Sequence, residues 1–303
     1  MAREQHSGTD STHMGIFEDR SWTSGDGLKL HFRDYRCADT AATARAPVIC
    51  VPGLTRNARD FEDLAPRLAQ HRRVLCVDLR GRGDSDYARD PMTYVPTHYV
   101  TDIEALLAQE QIARFVSIGT SLGGLVTMLL AWADASRIAG AVINDIGPEI
   151  EPAGLARIRD YVGQGRAFET WMHGAWALQE SQAETYPDFD LGDWLRMAKR
   201  TMALGSGGRI AFDYDMNIAD PIEAAPADAP APDLWPAWHA LAKAPLLLLR
   251  GERSDILSAR NAARMVDEAP GSTLATVPRV GHAPTLDEPI SVAAIEALLA
   301  RVD

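Results

Sequence analysis

Ser121 stands in the run Gly119-Thr120-Ser121-Leu122-Gly123, after the apolar stretch Phe115-Val116-Ser117-Ile118 and before Gly124-Leu125-Val126-Thr127-Met128-Leu129-Leu130. A strand that turns sharply into a helix lifts one hydroxyl above the sheet edge. Glycine on either side removes the Cβ atoms that such a turn would press together. The pattern points to a serine nucleophile. A glycine-rich loop with an incidental serine has the same spelling, and only a base and an acid elsewhere in the chain separate the two.

Candidates for both follow. Pro245-Leu246-Leu247-Leu248-Leu249-Arg250 reads as a buried strand and opens into the polar loop Gly251-Glu252-Arg253-Ser254-Asp255, which makes Asp255 the candidate acid. The shorter run Thr273-Leu274-Ala275-Thr276-Val277-Pro278 leads to Val280-Gly281-His282-Ala283-Pro284, and His282 is the candidate base. A serine hydroxyl is a poor nucleophile at neutral pH, so a histidine must take its proton and a carboxylate must hold that histidine in the right tautomer.

The order serine, aspartate, histidine resembles the α/β-hydrolase superfamily, and more narrowly its bacterial esterase, enol-lactonase and C–C hydrolase-like members, over roughly residues 16–303. Val48-Ile49-Cys50-Val51-Pro52-Gly53-Leu54-Thr55 is similar to the family's strand and oxyanion loop, with Pro52 where many members carry histidine. Asp78-Leu79-Arg80-Gly81-Arg82-Gly83-Asp84-Ser85 resembles its Asp-x-Arg-Gly-x-Gly-x-Ser turn. The resemblance implies an α/β fold, a mostly parallel eight-stranded sheet flanked by helices, with a helical lid inserted after strand 6. It assigns the oxyanion hole to the backbone N–H groups of Leu54 and Leu122. A minority of the superfamily carries its acid after the sixth strand, where Ile143-Asn144-Asp145-Ile146-Gly147-Pro148 supplies Asp145 as the alternative to Asp255 or as an anchor for the lid.

The elements needed to position these residues recur along the chain. An opening hairpin is predicted near 17–24 and 28–35 around Gly25-Asp26-Gly27. Strands follow at 47–51, 73–78, 114–119, 138–144, 245–250 and 273–278, separated mostly by helical patterns near 58–70, 97–110, 122–133, 258–268 and 288–301. The alternation breaks between residues 148 and 241, which hold five of the seven tryptophans and a Pro/Ala-rich stretch, Ala224 to Pro232. These divide the chain into a tail over 1–14 without regular structure, a core over 15–147 and 242–303, and a lid over 148–241. Phe168, Trp171, Met172, Ala175 and Trp176 fall on one helical face, to pack the lid on the core or to line an acyl pocket.

Composition narrows the partners. An apolar content of 46% over 303 residues suffices for a sizeable core, and a formal charge of −12 argues against nucleic acid and anionic membrane surfaces. Cys37, Cys50 and Cys76 are too few and too scattered for a disulfide framework. The polar N-terminus and the lack of a long apolar run predict a cytoplasmic protein. The eight histidines form no metal-binding motif, so neither metal nor organic cofactor is expected. The predicted activity is hydrolysis of a small-molecule carboxylic ester, lactones included, with an apolar part and an acyl-Ser121 intermediate. The alternatives are a C–C hydrolase of ring-cleavage products and a ligand-binding protein without catalysis. Oligomeric state is not legible.

Overall fold

The computed structural model describes residues 16–39, 44–226 and 232–302. The tail predicted over residues 1–14 lies outside them. The first half of the chain comprises β1 (Glu18–Thr23), β2 (Lys29–Tyr35), β3 (Val48–Val51), α1 (Ala65–Leu68), β4 (Val74–Val77), α2 (Pro96–Gln109), β5 (Phe115–Thr120), α3 (Leu122–Asp134) and β6 (Ile138–Asn144). An inserted stretch holds α4 (Pro152–Tyr161), β7 (Ala167–Phe168), α5 (Trp171–Gln182), α6 (Leu191–Thr201), β8 (Met202–Leu204), β9 (Ile210–Phe212), α7 (Asp220–Ala224) and α8 (Trp235–Leu241). The chain closes with β10 (Leu246–Gly251), α9 (Ala259–Asp267), β11 (Thr273–Val277) and α10 (Pro289–Leu299).

Eight strands form one sheet in the order β1-β2-β4-β3-β5-β6-β10-β11. β1 and β2 pair antiparallel, β2 joins β4 antiparallel, and every pairing from β4 to β11 is parallel. The central strands are buried on both faces, which is why they read as unbroken apolar runs. Their side chains still alternate between layers. Ile49 and Val51 of β3 face α2, α3 and α8, with Tyr99, Ile103, Val126 and Trp238 in one core, whereas Val48 and Cys50 face α1 and α10, with Leu68, Ile295 and Leu298 in the other. This doubly covered sheet places all the strand-to-helix loops of its parallel part along one edge, where ligands bind in such folds.

Two local expectations change. The helix predicted over 58–70 is a 3₁₀ turn at Ala58–Phe61, capped by the Asn57 side chain accepting from Arg59 N, followed by the short α1. Pro66 causes the break, because in a continuous helix its ring would meet the carbonyl of Glu62 and its missing N–H would cost a bond. The insertion is not purely helical: β7, β9 and β8 form a small antiparallel sheet. Phe168, Tyr186, Trp194 and Met197 give the insertion a core of its own. Among the described residues no helix is long and apolar enough to cross a membrane.

Candidate active site

β5 ends at Thr120 and α3 begins at Leu122, which leaves Ser121 as the single residue of the turn, at φ 51° and ψ −114°. That left-handed region is costly for a residue with a side chain, and it persists because the surroundings fix it. Ser121 N donates to Asn144 O at 2.9 Å, and Ser121 O accepts from Gly124 N at 2.8 Å. A Cβ on Gly119 would collide with the Gly123 carbonyl, and one on Gly123 with the Val51 carbonyl. The two glycines thus let β5, α3 and the end of β3 meet at backbone distance.

His282 lies on the loop after β11. Its Nδ1 is 2.8 Å from Asp145 Oδ2, and its Nε2 is 2.8 Å from Ser121 Oγ. An ionised carboxylate only accepts, so Nδ1 carries the proton and Nε2 is left to accept from the serine hydroxyl. Asp145 follows β6 directly, at φ 59° and 0% exposure, and its Oδ1 accepts from Gly251 N at 2.8 Å. Both carboxylate oxygens are therefore engaged, one by β10 and one by the histidine.

Here the structure corrects the assignment of Asp255. Its carboxylate does not meet His282; it receives Arg157 Nε at 2.6 Å and a second guanidinium nitrogen of Arg157 at 2.8 Å. Burial works against its charge, but the hydrogen bonds and charge of Arg157 outweigh burial and hold the carboxyl below the usual aspartate range. Arg157 belongs to α4, so Asp255 ties the insertion to the loop after β10. The spacing after β10 suited an acid, and nothing in the chain near Asp255 announced a partner from 98 residues away.

The Gly53-Leu54 loop after β3 passes beside the serine. A Cβ on Gly53 would lie 3.8 Å from Ser121 Cβ. Leu122, the first residue of α3, sits on the other side, at the positive end of a 13-residue helix. Arg82 supports the loop from beneath: its Nε donates to Leu54 O at 2.9 Å, and one terminal nitrogen donates to Arg80 O at 2.7 Å and to Tyr99 Oη at 2.9 Å. Arg82 is fully buried, packs over the rings of Tyr99 and Tyr94, and among the described residues has no carboxylate partner. The stretch 78–85 stands out in sequence only as a family-like turn, and nothing in it announces that Arg82 reaches Leu54 O, 28 residues away.

A cavity of about 530 Å³ opens over Ser121 and His282. Its walls come from the loop after β3 (Gly53, Leu54), from the insertion (Ile158, Tyr161, Phe168, Leu178, Tyr186) and from the histidine loop (Pro284, Leu286). Of the five residues predicted to share one helical face, Phe168 alone lines it. Thr170 caps α5 with its side chain, so Phe168 lies in the preceding strand β7 and out of helical phase, while Trp176 is 50% exposed. The insertion also grips the histidine loop, through Gly281 N to Thr185 O at 2.8 Å and Tyr186 Oη to Ala283 O at 2.8 Å. Asn144 Nδ2 reaches Pro284 O at 2.8 Å from the opposite side. Burial pushes the Tyr186 phenol up, so at neutral pH it is a donor and not a charge.

His31, Asp78 and Asp84 are the one grouping among the described residues with metal-ligand spacing. Both ring nitrogens of His31 are already taken, Nδ1 by Asp78 at 2.7 Å and Nε2 by Asp19 at 2.9 Å. Burial opposes a charge on His31, yet the two carboxylates prevail and raise its pKa to about 10. The grouping is an ion-paired brace, with Asp78 also accepting from Ala58 N at 2.6 Å, a few residues beyond the Gly53-Leu54 loop.

The sheet, the serine turn and the loop edge define an α/β-hydrolase. The chain belongs to the alpha/beta hydrolase family, whose model matches residues 48–295. It is 66% identical to a crystallised alpha/beta hydrolase from Novosphingobium aromaticivorans, with a TM-score of 0.91 over 95% of this chain and 100% of that one. It is 34% identical over 252 residues to a 3-hydroxybutyrate-oligomer hydrolase of Cupriavidus necator, covering 81% of this chain and 85% of the relative. A pimeloyl-(acyl-carrier protein) methyl ester esterase of Pectobacterium atrosepticum is 26% identical over 82% of this chain and 92% of its own length. The hydrolase character of these relatives extends to this chain.

Proposed function

We propose that the protein hydrolyses carboxylic esters of small molecules through an acyl-Ser121 intermediate, with His282 as base and Asp145 as the acid. Ser121 Oγ attacks the ester carbonyl as Nε2 takes its proton, and the negative charge that grows on the carbonyl oxygen falls between the N–H groups of Leu54 and Leu122. Asp145 keeps the proton of the imidazole on Nδ1 and stabilises the imidazolium. His282 then protonates the departing alcohol, and the same nitrogen activates the water that releases the acid. Residues 148–241 act as the lid over a core of 15–147 and 242–303, excluding water and shaping the acyl site.

The observation that carries this reading is the pair of 2.8 Å contacts that run from Ser121 Oγ through His282 to a buried carboxylate at the floor of an apolar-walled cavity. The relatives named for ester substrates support it, and short hydroxyacid ester oligomers belong in the first substrate panel. The test is turnover of 4-nitrophenyl esters from acetate to decanoate by the wild type and by Ser121→Ala. Turnover by the wild type that falls at least 10³-fold in a normally folded variant is the expected result. Equal rates in the two proteins, or none in the wild type, refute the proposal.

A further inference from the structure

The protein carries a formal charge of −12, yet the side chains lining its cavity include four arginines, Arg56, Arg157, Arg166 and Arg200, against two aspartates, Asp60 and Asp160. An acidic protein has concentrated cations around one cavity, and Arg166 is the exposed one among them. Three of the four are held by carboxylates. Arg56 grips Asp60 with contacts of 2.6–2.9 Å, Arg157 grips Asp255, and Arg200 reaches Glu62 and Asp63.

Arg166 differs. Among the described residues no carboxylate pairs with it, and its guanidinium lies over the face of Phe168, with Cζ 5.5 Å from the ring centroid. Phe168 is itself 9% exposed, lines the cavity, and is fixed edge-on against Phe212 at 6.5 Å. A guanidinium laid over an aromatic ring leaves its N–H edge available in its own plane, and the acceptor that matches that fork is a carboxylate. The apolar side chains of Ile158, Leu178 and Leu286 line the same cavity as Arg166 and Ser121.

Resting on the ester-hydrolase reading, we infer that the substrate is an anionic ester. It carries a free carboxylate remote from the scissile carbonyl, Arg166 docks that carboxylate, and a short aliphatic segment spans the apolar walls. The cavity then selects by charge at one end and by chemistry at the other.

The test compares mono-4-nitrophenyl adipate and suberate with their methyl 4-nitrophenyl diesters, in which the remote carboxylate is replaced by its neutral methyl ester. For the wild type, kcat/KM for the charged ester exceeds that for the methyl ester by about tenfold, chiefly through KM, and 1 M salt erases the difference. In Arg166→Gln the ratio falls to near one, and Arg166→Lys keeps part of it. A wild-type ratio of one, or a ratio that survives Arg166→Gln, overturns the inference. Calorimetric binding of monomethyl and dimethyl adipate to Ser121→Ala separates the two readings. Preference for the monoanion without nitrophenyl turnover keeps the docking site and removes the ester chemistry. Turnover without charge preference does the reverse.

Discussion

Asparagine at position 145 keeps the shape of the aspartate and removes its charge, in a pocket where both oxygens have fixed partners. Gly251 N is a donor 2.8 Å from Oδ1, so it demands an oxygen there and forces the new amide NH₂ toward His282 Nδ1. An NH₂ facing Nδ1 requires that nitrogen to be an acceptor, which moves the imidazole proton to Nε2, against Ser121 Oγ. The base is then blocked in the resting state. The imidazolium of the transition state also loses a countercharge: two unit charges about 4 Å apart at an effective dielectric near 20 interact by about 4 kcal/mol, close to 10³ in rate. With the tautomer fault added, Asp145→Asn is expected to lower kcat roughly 10³- to 10⁴-fold at unchanged fold. Asp255→Asn breaks a half-exposed pair with Arg157 and is expected to change kcat less than about fivefold. The assay is pre-steady-state release of 4-nitrophenol from the butyrate ester, with thermal melts as the control. Retention of a tenth of the activity in Asp145→Asn, or a 10³-fold loss in Asp255→Asn, refutes the assignment.

Two further perturbations test the supports of the site. His31 has its pKa raised to about 10, so its pairing with Asp78 and Asp19 stabilises the fold fully below its ordinary value near 6.5 and is lost as pH rises through about 10. The unfolding free energy of the wild type, read from denaturant titrations, is expected to fall between pH 7 and 10 by an amount on the order of a few kcal/mol, and His31→Gln to flatten that slope; parallel slopes contradict the role of His31. Arg82→Met takes the donor from Leu54 O, so kcat is expected to drop about 10- to 100-fold with little change in KM. Affinity for an alkyl boronic acid, a tetrahedral mimic at the serine, is expected to weaken in parallel, and unaltered boronate binding contradicts the positioning role.

The parts of the site built from local chemistry were legible in the chain. Ser121 needs glycines at 119 and 123, and His282 follows the last strand of the sheet on a short loop bracketed by glycine and proline, so residue types alone announced them. The acid was different. Asp145 and Asp255 both follow a buried strand and both lie between Ser121 and His282 in the sequence. What separates them is a guanidinium from α4 and a backbone N–H from β10, neither of which is near in sequence. The long parallel strands showed in their apolar runs, whereas β7, β8 and β9 have two or three residues each, too few to display alternation. Phe168 was assigned to a helix because its spacing fits one, and only the Thr170 cap marks where that periodicity begins. The cations of the cavity wall come from the oxyanion loop and from several separate stretches of the insertion, so no window of sequence contains the pattern.

The contacts of Thr185 and Tyr186 with the histidine loop change what the insertion is for. A cover that merely sits over a finished catalytic apparatus can swing away and leave that apparatus intact. Here the insertion holds the backbone of Gly281 and Ala283, the residues on either side of His282. A displacement large enough to break those two hydrogen bonds leaves the loop that carries His282 held from the core side alone, by Asn144 Nδ2 on Pro284 O and Arg253 N on Val280 O. On the proposed mechanism the insertion would work as a clutch, because the contacts that seat it on this loop also help to aim His282 at Ser121. Tyr186→Phe removes one of the two contacts and would lower turnover through the aim of His282, whereas the Thr185 contact is made by its backbone carbonyl and survives substitution.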